Sequence, residues 1–258
     1  MSDLQVRAKT ALIIFGVLGL LLFIVPASYL FALVFMLYFS AQYELIKVYK
    51  LPLFVLPIIF LLFLPIQMLG FVYFGVVLLI FCSIITIAYN NRSEFVLPNW
   101  FMSLINACLL YSALLSALLF GSEFGLDRAL LLWLMVAVTD AAGYFFGRQF
   151  GRHKLLPKVS PKKTIEGFLG ALLTVSILVP IYFHGFSGLI LILAVLIVVA
   201  SVLGDLWFSL CKRVINIKDY SNLLPGHGGI LDRVDGLVFA LPTLYVFCKK
   251  FAKILFVS

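Results

Sequence analysis

Charge is scarce in this sequence. Asp, Glu, Lys and Arg supply 12% of the 258 residues against 64% hydrophobic, which leaves too little polar surface to cover a water-soluble globule. Acidic groups are the scarcer kind, 11 against 19 basic, so each carboxylate in an apolar stretch becomes a candidate for function. Cys82, Cys108, Cys211 and Cys248 are scattered and form no Cys-x-x-Cys pair, so neither a disulfide framework nor a zinc site is indicated. They read as small apolar filler. Gly-x-x-x-x-Gly-Lys-Ser/Thr is missing too, which excludes a Walker A phosphate loop. There is no long polar segment, low-complexity tract or clear internal repeat.

What is present is a series of uncharged runs, and a helix needs about 20 mainly apolar residues to cross the ~30 Å hydrocarbon core. Thr10 to Tyr43 breaks at Pro26, and Leu51 to Tyr89 breaks near Pro65 and Gly70, so each suggests two helices. Phe95 to Gly121 and Leu130 to about Phe146 give one each. Gly167 to Cys211 is long enough for two, turning at His184-Gly185-Phe186-Ser187-Gly188, and a last span starts near Gly236. The expectation is an all-α polytopic membrane protein with about nine transmembrane helices. Residues 1–98 form an N-terminal set of spans, and residues 99–258 a C-terminal catalytic region with cytoplasmic loops. The run after Arg7 and Lys9 resembles a signal peptide but lacks a small-residue cleavage site, so it reads as a retained helix.

The cations are unevenly placed. Arg7, Lys9, Lys47, Lys50, Arg92, the Arg148 to Lys163 loop and the Lys212 to Arg233 loop fall on one side of this layout, which the positive-inside rule makes cytoplasmic. Arg128 and the trio Lys249, Lys250 and Lys253 fall opposite, a conflict that an in-plane or broken last helix would remove. The net charge of +8 is therefore mainly a topology signal, attractive to anionic lipid and nucleotide. Nucleic acid is not implied.

Three clusters carry the candidate chemistry. In "VAVTDAAGYFFGRQFGR", Asp140 lies within an apolar run and is followed by Gly143, Gly147 and Gly151, whose four-residue spacing leaves one helix face bare for a neighbouring backbone. That face allows a homodimer as easily as packing within the chain. In "GRHKLLPKVSPKKTIEG", Ser160, Lys162, Lys163 and Thr164 precede a helix. They offer hydroxyls, ammonium groups and backbone N–H groups at the positive end of a helix dipole, which suits a polyphosphate. The plainer reading is a positive-inside loop.

The third cluster is "GDLWFSLCKRVINIKDYSNLLPGHGGILDRVDG". Asp205, Ser209 and Lys212 at i, i+4, i+7 share a helix face, as do Asp232 and Asp235. Between them a Pro-Gly-His-Gly-Gly turn permits close approach to a ligand. Carboxylates converging without histidine or thiolate partners favour Mg²⁺, which binds through one or two carboxylates plus substrate phosphates. Interfacial salt bridges, Asp219 to Lys212 and Asp232 to Arg233, are the alternative.

The segment from Ser209 through Lys212-Arg213, Lys218-Asp219 and Leu224-Pro225-Gly226-His227-Gly228-Gly229 to Asp232-Arg233-x-Asp235 resembles the signature of the phosphatidate cytidylyltransferases, or CDP-diacylglycerol synthases. "VTDAAGYFFGRQFGRHKLLPKVSPKKTIEGFLG" is similar to that family's second diagnostic stretch. The N-terminal half matches only in hydropathy and in "YELIK". The resemblance implies a multi-pass enzyme of the inner membrane, with its site on the cytoplasmic side. It would condense CTP with phosphatidic acid, giving CDP-diacylglycerol and pyrophosphate.

The same resemblance implies dependence on Mg²⁺, with room for K⁺, and CTP, phosphatidic acid and membrane lipids as partners, while the glycine-rich helix faces allow a second copy of the chain. It makes Asp219 and Asp232 metal ligands, with Asp140 and Asp205 beside them. Lys218, Asp235 and His227 join the two ligands as catalytic candidates. Ser160, Lys162, Lys163, Thr164, Ser209, Lys212, Arg213 and Arg233 are expected to hold substrate. Phe208 stands where the family has Glu, which leaves open a paralogue acting on another lipid phosphate. A cation-coupled transporter using Asp140 and Asp205 is the rival from another class.

Overall fold

The computed structural model describes residues 27–50, 68–91, 97–221, 223 and 228–255. The expected spans in 10–26 and 51–67, Arg7, Lys9, Arg92 and the Pro225, Gly226 and His227 positions lie outside the described residues. Seven helices follow in order: α1 (Ala27–Tyr49), α2 (Met68–Asn91), α3 (Asn99–Phe124), α4 (Leu126–Phe150), α5 (Ile165–Tyr182), α6 (Gly188–Val214) and α7 (Leu231–Leu255). Val72–Asn91 of α2 and all of α3 to α6 are long and apolar enough to cross a membrane. This is a helical membrane protein whose five such helices agree with the composition.

One expectation needs correcting. The structure is not purely helical, because β1 (Lys154–Leu156) and β2 (Ser160–Thr164) form an antiparallel hairpin between α4 and α5. Lys154 stands opposite Thr164 and Leu156 opposite Ser160. A charged loop at the mouth of an apolar bundle has backbone groups to satisfy, and pairing two short strands does so locally. Val159 at the hairpin turn is fully buried and acts as the plug that seats it.

Helix α3 is central, buried along most of its length, and packs against α1, α2, α4 and α7. The bare face expected on α4 is used within the chain: Gly143 and Gly147 lie against Gly167 of α5. A homodimer would therefore need another surface. A methyl group on Gly167 would stand 2.5 Å from the Gly143 carbonyl oxygen and 3.2 Å from the Gly147 Cα, neither of which can rotate away. Gly167→Ala is expected to lose about 1–3 kcal/mol to overpacking, more than the ~1 kcal/mol that helix propensity returns. Gly188→Ala, with open space around the added methyl, is the control. Thermal midpoints in detergent would separate the two, and equal midpoints would remove the close-packing account.

Among the described residues, the ends of α1, α2 and α6 and the hairpin gather at one end of the bundle. Tyr49 at the end of α1 accepts a hydrogen bond from Asn106 Nδ2 near the start of α3 at 3.5 Å, and Trp207 Nε1 of α6 donates to Asn106 Oδ1 at 2.7 Å. The hairpin reaches the end of α2, where Lys158 N donates to Asn90 Oδ1 at 3.1 Å. At the opposite end Lys249 of α7 pairs with Glu123 of α3 at 2.8 Å. Helix α7 thus runs from one end of the bundle to the other. Its break comes late, at Phe251 (φ −113°, ψ 16°), and Glu123 neutralises one of the three lysines that conflicted with the charge rule.

Candidate active site

At the hairpin end a cavity of about 360 Å³ opens between α4, α5, α6, the hairpin and the start of α7. Its walls hold five carboxylates, Asp140, Asp205, Asp219, Asp232 and Asp235, and four cations, Lys162, Lys163, Lys212 and Arg233. Ser160 and Thr164 line it as well. Residues 140 to 235 in sequence are thereby brought to a single polar volume, large enough for a small-molecule substrate.

Each wall has a local cause. Asp205 is on the face of α6 that also carries Ser209 and Lys212, and Ser209 Oγ donates to Asp205 Oδ1 at 3.1 Å. Lys163 reaches across from β2 to Asp205 Oδ2 at 2.5 Å, with 23% and 26% of the two side chains exposed. The hairpin is held a second time by Arg213, whose Nε donates to the Val159 carbonyl at 3.4 Å. A third tie is Glu166 in the first turn of α5. It accepts the N–H groups of Arg152 at 3.0 Å and His153 at 3.2 Å, and lies 2.7 Å from His153 Nδ1. Thr164 Oγ1 accepts from Gly167 N at 3.1 Å and so caps α5.

Asp232 is the most heavily engaged acid. Lys212 Nζ donates to its Oδ1 at 2.7 Å, while Tyr220 N and Gly229 N each donate to Oδ2 at 2.9 Å. The ion pair is 12% and 4% exposed. The salt bridges anticipated from sequence, Asp219 to Lys212 and Asp232 to Arg233, are therefore not the arrangement adopted: Lys212 chooses Asp232, because α6 and the start of α7 are neighbours. Asp219 is exposed and faces the same point as Asp232. A Cβ on Gly228 would lie 3.0 Å from Asp232 Oδ2 and 3.5 Å from Asp219 Oδ1. Gly228 has φ +83°, a left-handed conformation that glycine adopts without cost, so both the turn and the space between the acids require it.

Of the expected site residues, Asp140, Asp205, Asp219, Asp232, Asp235, Ser160, Lys162, Lys163, Thr164, Lys212 and Arg233 line the cavity. Ser209, Arg213 and Lys218 do not. Ser209 supports Asp205, Arg213 anchors the hairpin, and Lys218 is exposed beside Asp219. His227 is outside the described residues. The free backbone N–H groups expected over Ser160 to Thr164 are partly consumed, since this segment is a strand of the hairpin. Among the described residues no three Asp, Glu, His or Cys side chains are grouped tightly enough to enclose a metal ion unaided. The four-carboxylate set of Asp219, Asp232, Asp140 and Asp205 is thus not drawn together as one cage.

Two features were missed in the sequence. Glu44 on α1 is buried and accepts from Ser221 Oγ, Ile230 N and Leu231 N; the signal was a carboxylate at the end of an apolar run, within "YELIK". Tyr220 is buried beneath Asp232, and burial holds its hydroxyl well above the usual value of 10. It remains a donor, to the Phe208 carbonyl at 3.4 Å. Phe208 itself is fully buried against the Tyr220 ring, with centroids 6.3 Å apart. It does not line the cavity.

Comparison with known proteins bears on this arrangement. The profile of the cytidylyltransferase family matches residues 5–251. A phosphatidate cytidylyltransferase of Staphylococcus haemolyticus is 45% identical over 128 residues, 47% of this chain and 49% of that protein. One of Haemophilus influenzae is 45% identical over 128 residues, 46% of this chain and 44% of its own length. The chain spans about half the length of the curated relatives it matches.

Proposed function

The chain belongs to the cytidylyltransferase family, and from that premise we propose that it transfers a cytidylyl group from CTP to phosphatidic acid, releasing pyrophosphate and leaving CDP-diacylglycerol in the membrane. The observation that supports this most directly is the pairing of five carboxylates with four cations around one cavity at the end of an apolar bundle. Two polyanions must be brought together there, and the nucleophile, a phosphate monoester, is already an anion at neutral pH. Charge neutralisation and alignment are then the main tasks. A lipid phosphate oxygen bonds to the α-phosphorus of CTP as the bond to the bridging oxygen of pyrophosphate breaks.

Among the lining cations, Lys163 and Lys212 are engaged with Asp205 and Asp232, which favours Lys162 with Ser160 for the triphosphate, and Arg233, which lines the cavity next to Asp232, is assigned to the lipid phosphate. The residues fit a divalent ion. Asp140, Asp219 and Asp235 have no ion-pair partner among the described residues, and Asp219 and Asp232 face one point across Gly228. Mg²⁺ held by Asp219 and Asp232, with Asp140, Asp205 and Asp235 nearby, would neutralise phosphate charge, and K⁺ is proposed as a second, monovalent ion. The whole chain is proposed to have nine spans: the seven described helices and one each within 10–25 and 51–65. On the charge rule the site is proposed to lie on the cytoplasmic side.

The test is incubation of the purified protein with CTP labelled in the α-phosphate, Mg²⁺ and phosphatidic acid in mixed micelles. Label is expected in the lipid extract only when all three are present; no transfer overturns the reading, and transfer to a different lipid phosphate redirects it. Lys162→Ala is expected to raise the KM for CTP about tenfold, the cost of one charge-assisted hydrogen bond, with the KM for lipid unchanged. An unchanged CTP dependence would return this strand to a topological role.

A further inference from the structure

The family signature lies in the C-terminal half, yet the turn that presents it is gripped from the N-terminal half. Glu44, 2% exposed on α1, points its carboxylate at the start of α7. Ile230 N donates to Oε1 at 3.0 Å and Leu231 N to Oε2 at 2.9 Å, while Ser221 Oγ donates to Oε1 at 2.6 Å. The first N–H groups of a helix have no partner within it, and the positive end of its dipole favours an anion. Glu44 therefore supplies from another helix what a local N-cap would supply.

The contact also fixes a distance. Ser221 is two residues beyond Asp219, and Leu231 immediately precedes Asp232, so one carboxylate holds both ends of the segment separating the two acids. Among the described residues three donors satisfy this carboxylate and no cation pairs with it. A buried, ionised group costs several kcal/mol unless its bonds are made, and an apolar side chain at position 44 would fill the same space without that cost. Gly229 shows how closely the two halves meet: a Cβ there would fall 2.6 Å from Glu44 Oε2.

We infer that Glu44 is a positioning residue for the cytidylyl transfer proposed above: it locks the start of α7 to Ser221 and so sets Asp219 and Asp232 at their working separation. The inference rests on that functional reading for its catalytic consequence but not for the contact itself. Helix α1 is on this view a working part of the site and more than a membrane anchor.

Four variants test it: Glu44→Ala, Glu44→Gln, Gly229→Ala and the Glu44→Ala/Gly229→Ala double. Misplacing reacting groups by about 1 Å costs roughly 10²-fold, so Glu44→Ala is expected to lower kcat by that factor, with KM for CTP and lipid little changed. Glu44→Gln keeps one acceptor oxygen and is expected to lie between Glu44→Ala and the parent. Gly229→Ala pushes the same carboxylate away from the other side, and the double variant is expected to be no worse than Glu44→Ala, the non-additivity of one shared contact.

Amide hydrogen exchange provides the reading independent of activity. In Glu44→Ala the peptide covering Ile230 and Leu231 is expected to exchange faster, with α5 unaffected. Parent-level kcat in folded Glu44→Ala, or unchanged exchange at Ile230 and Leu231, overturns the inference. So does faster exchange throughout the protein, which would mark a general structural role. Should Glu44→Ala fail to fold, Glu44→Gln carries the same measurements. If the parent protein transfers no cytidylyl group, the functional proposal fails, and the exchange result alone still decides whether Glu44 holds the turn.

Discussion

Asp219→Asn is expected to reduce the proposed cytidylyl transfer by roughly 10³-fold, the scale seen when one electrostatic contributor to a charged transition state is removed, while the thermal midpoint stays where it was. Asp219 is exposed, and no hydrogen bond of its carboxylate secures the fold among the described residues. Asp232→Asn is expected to lose activity on the same scale and stability too. Its carboxylate binds Lys212 and two backbone N–H groups, and the pair is almost fully buried. Removing one charge of a buried pair costs about 3–5 kcal/mol, because the other stays behind without compensation. Two carboxylates that look alike in the signature are thus separated by a measurement of kcat beside Tm. Equal stability losses would mean that Asp219 has a structural role its exposure does not indicate, and parent-level activity in either folded variant would remove it from the site.

The second large effect concerns the tie between the hairpin and α6. Lys163→Ala leaves Asp205 without its partner in a wall already rich in acids. About 2 kcal/mol of stability is expected to be lost, less than the ~3–5 of a fully buried pair because about a quarter of each side chain is exposed. Lys163→Met with Asp205→Leu removes both charges and is expected to recover most of that loss, as buried pairs replaced by apolar groups commonly do. The readout is the thermal midpoint, so the loss of Asp205 from the cavity does not confuse it. A double variant as unstable as the single would show that Lys163 contributes through packing and not through the pair. For the same reason a CTP dependence measured on Lys163→Ala would mix binding with hairpin release, and Lys162, exposed and lining the cavity, is the cleaner probe of the triphosphate.

How much of this was legible beforehand differs from element to element. Long apolar runs interrupted by Pro, Gly and charge located α3 to α6 to within a few residues, since hydrocarbon thickness fixes the length of a spanning helix. The small-residue face of α4 was visible because four-residue spacing returns to the same side of a helix. Which helix it would meet was not visible, and Gly167 of α5 is the answer. The hairpin was invisible because five residues containing Pro161 and two lysines carry no alternating pattern, and their pairing is decided by the mouth of the bundle. Ion-pair partners were also hidden: Asp232 is next to Arg233 in the chain, but at the start of a helix its carboxylate turns back to Lys212 of α6.

What the sequence by itself determined is the class of molecule and the list of chemically expensive residues. Both follow from one-dimensional quantities: too little charge for water, enough apolar length for lipid, and carboxylates that an apolar chain keeps only for a purpose. Tertiary structure alone decided which of those carboxylates are occupied in holding the chain together and which face the cavity, and it brought in Glu44 from the far half of the chain. The reason is physical. The cost of burying a charge can be read from the residue and its surroundings in sequence, but whether that cost is met depends on donors a few ångströms away, and those are supplied by segments distant along the chain.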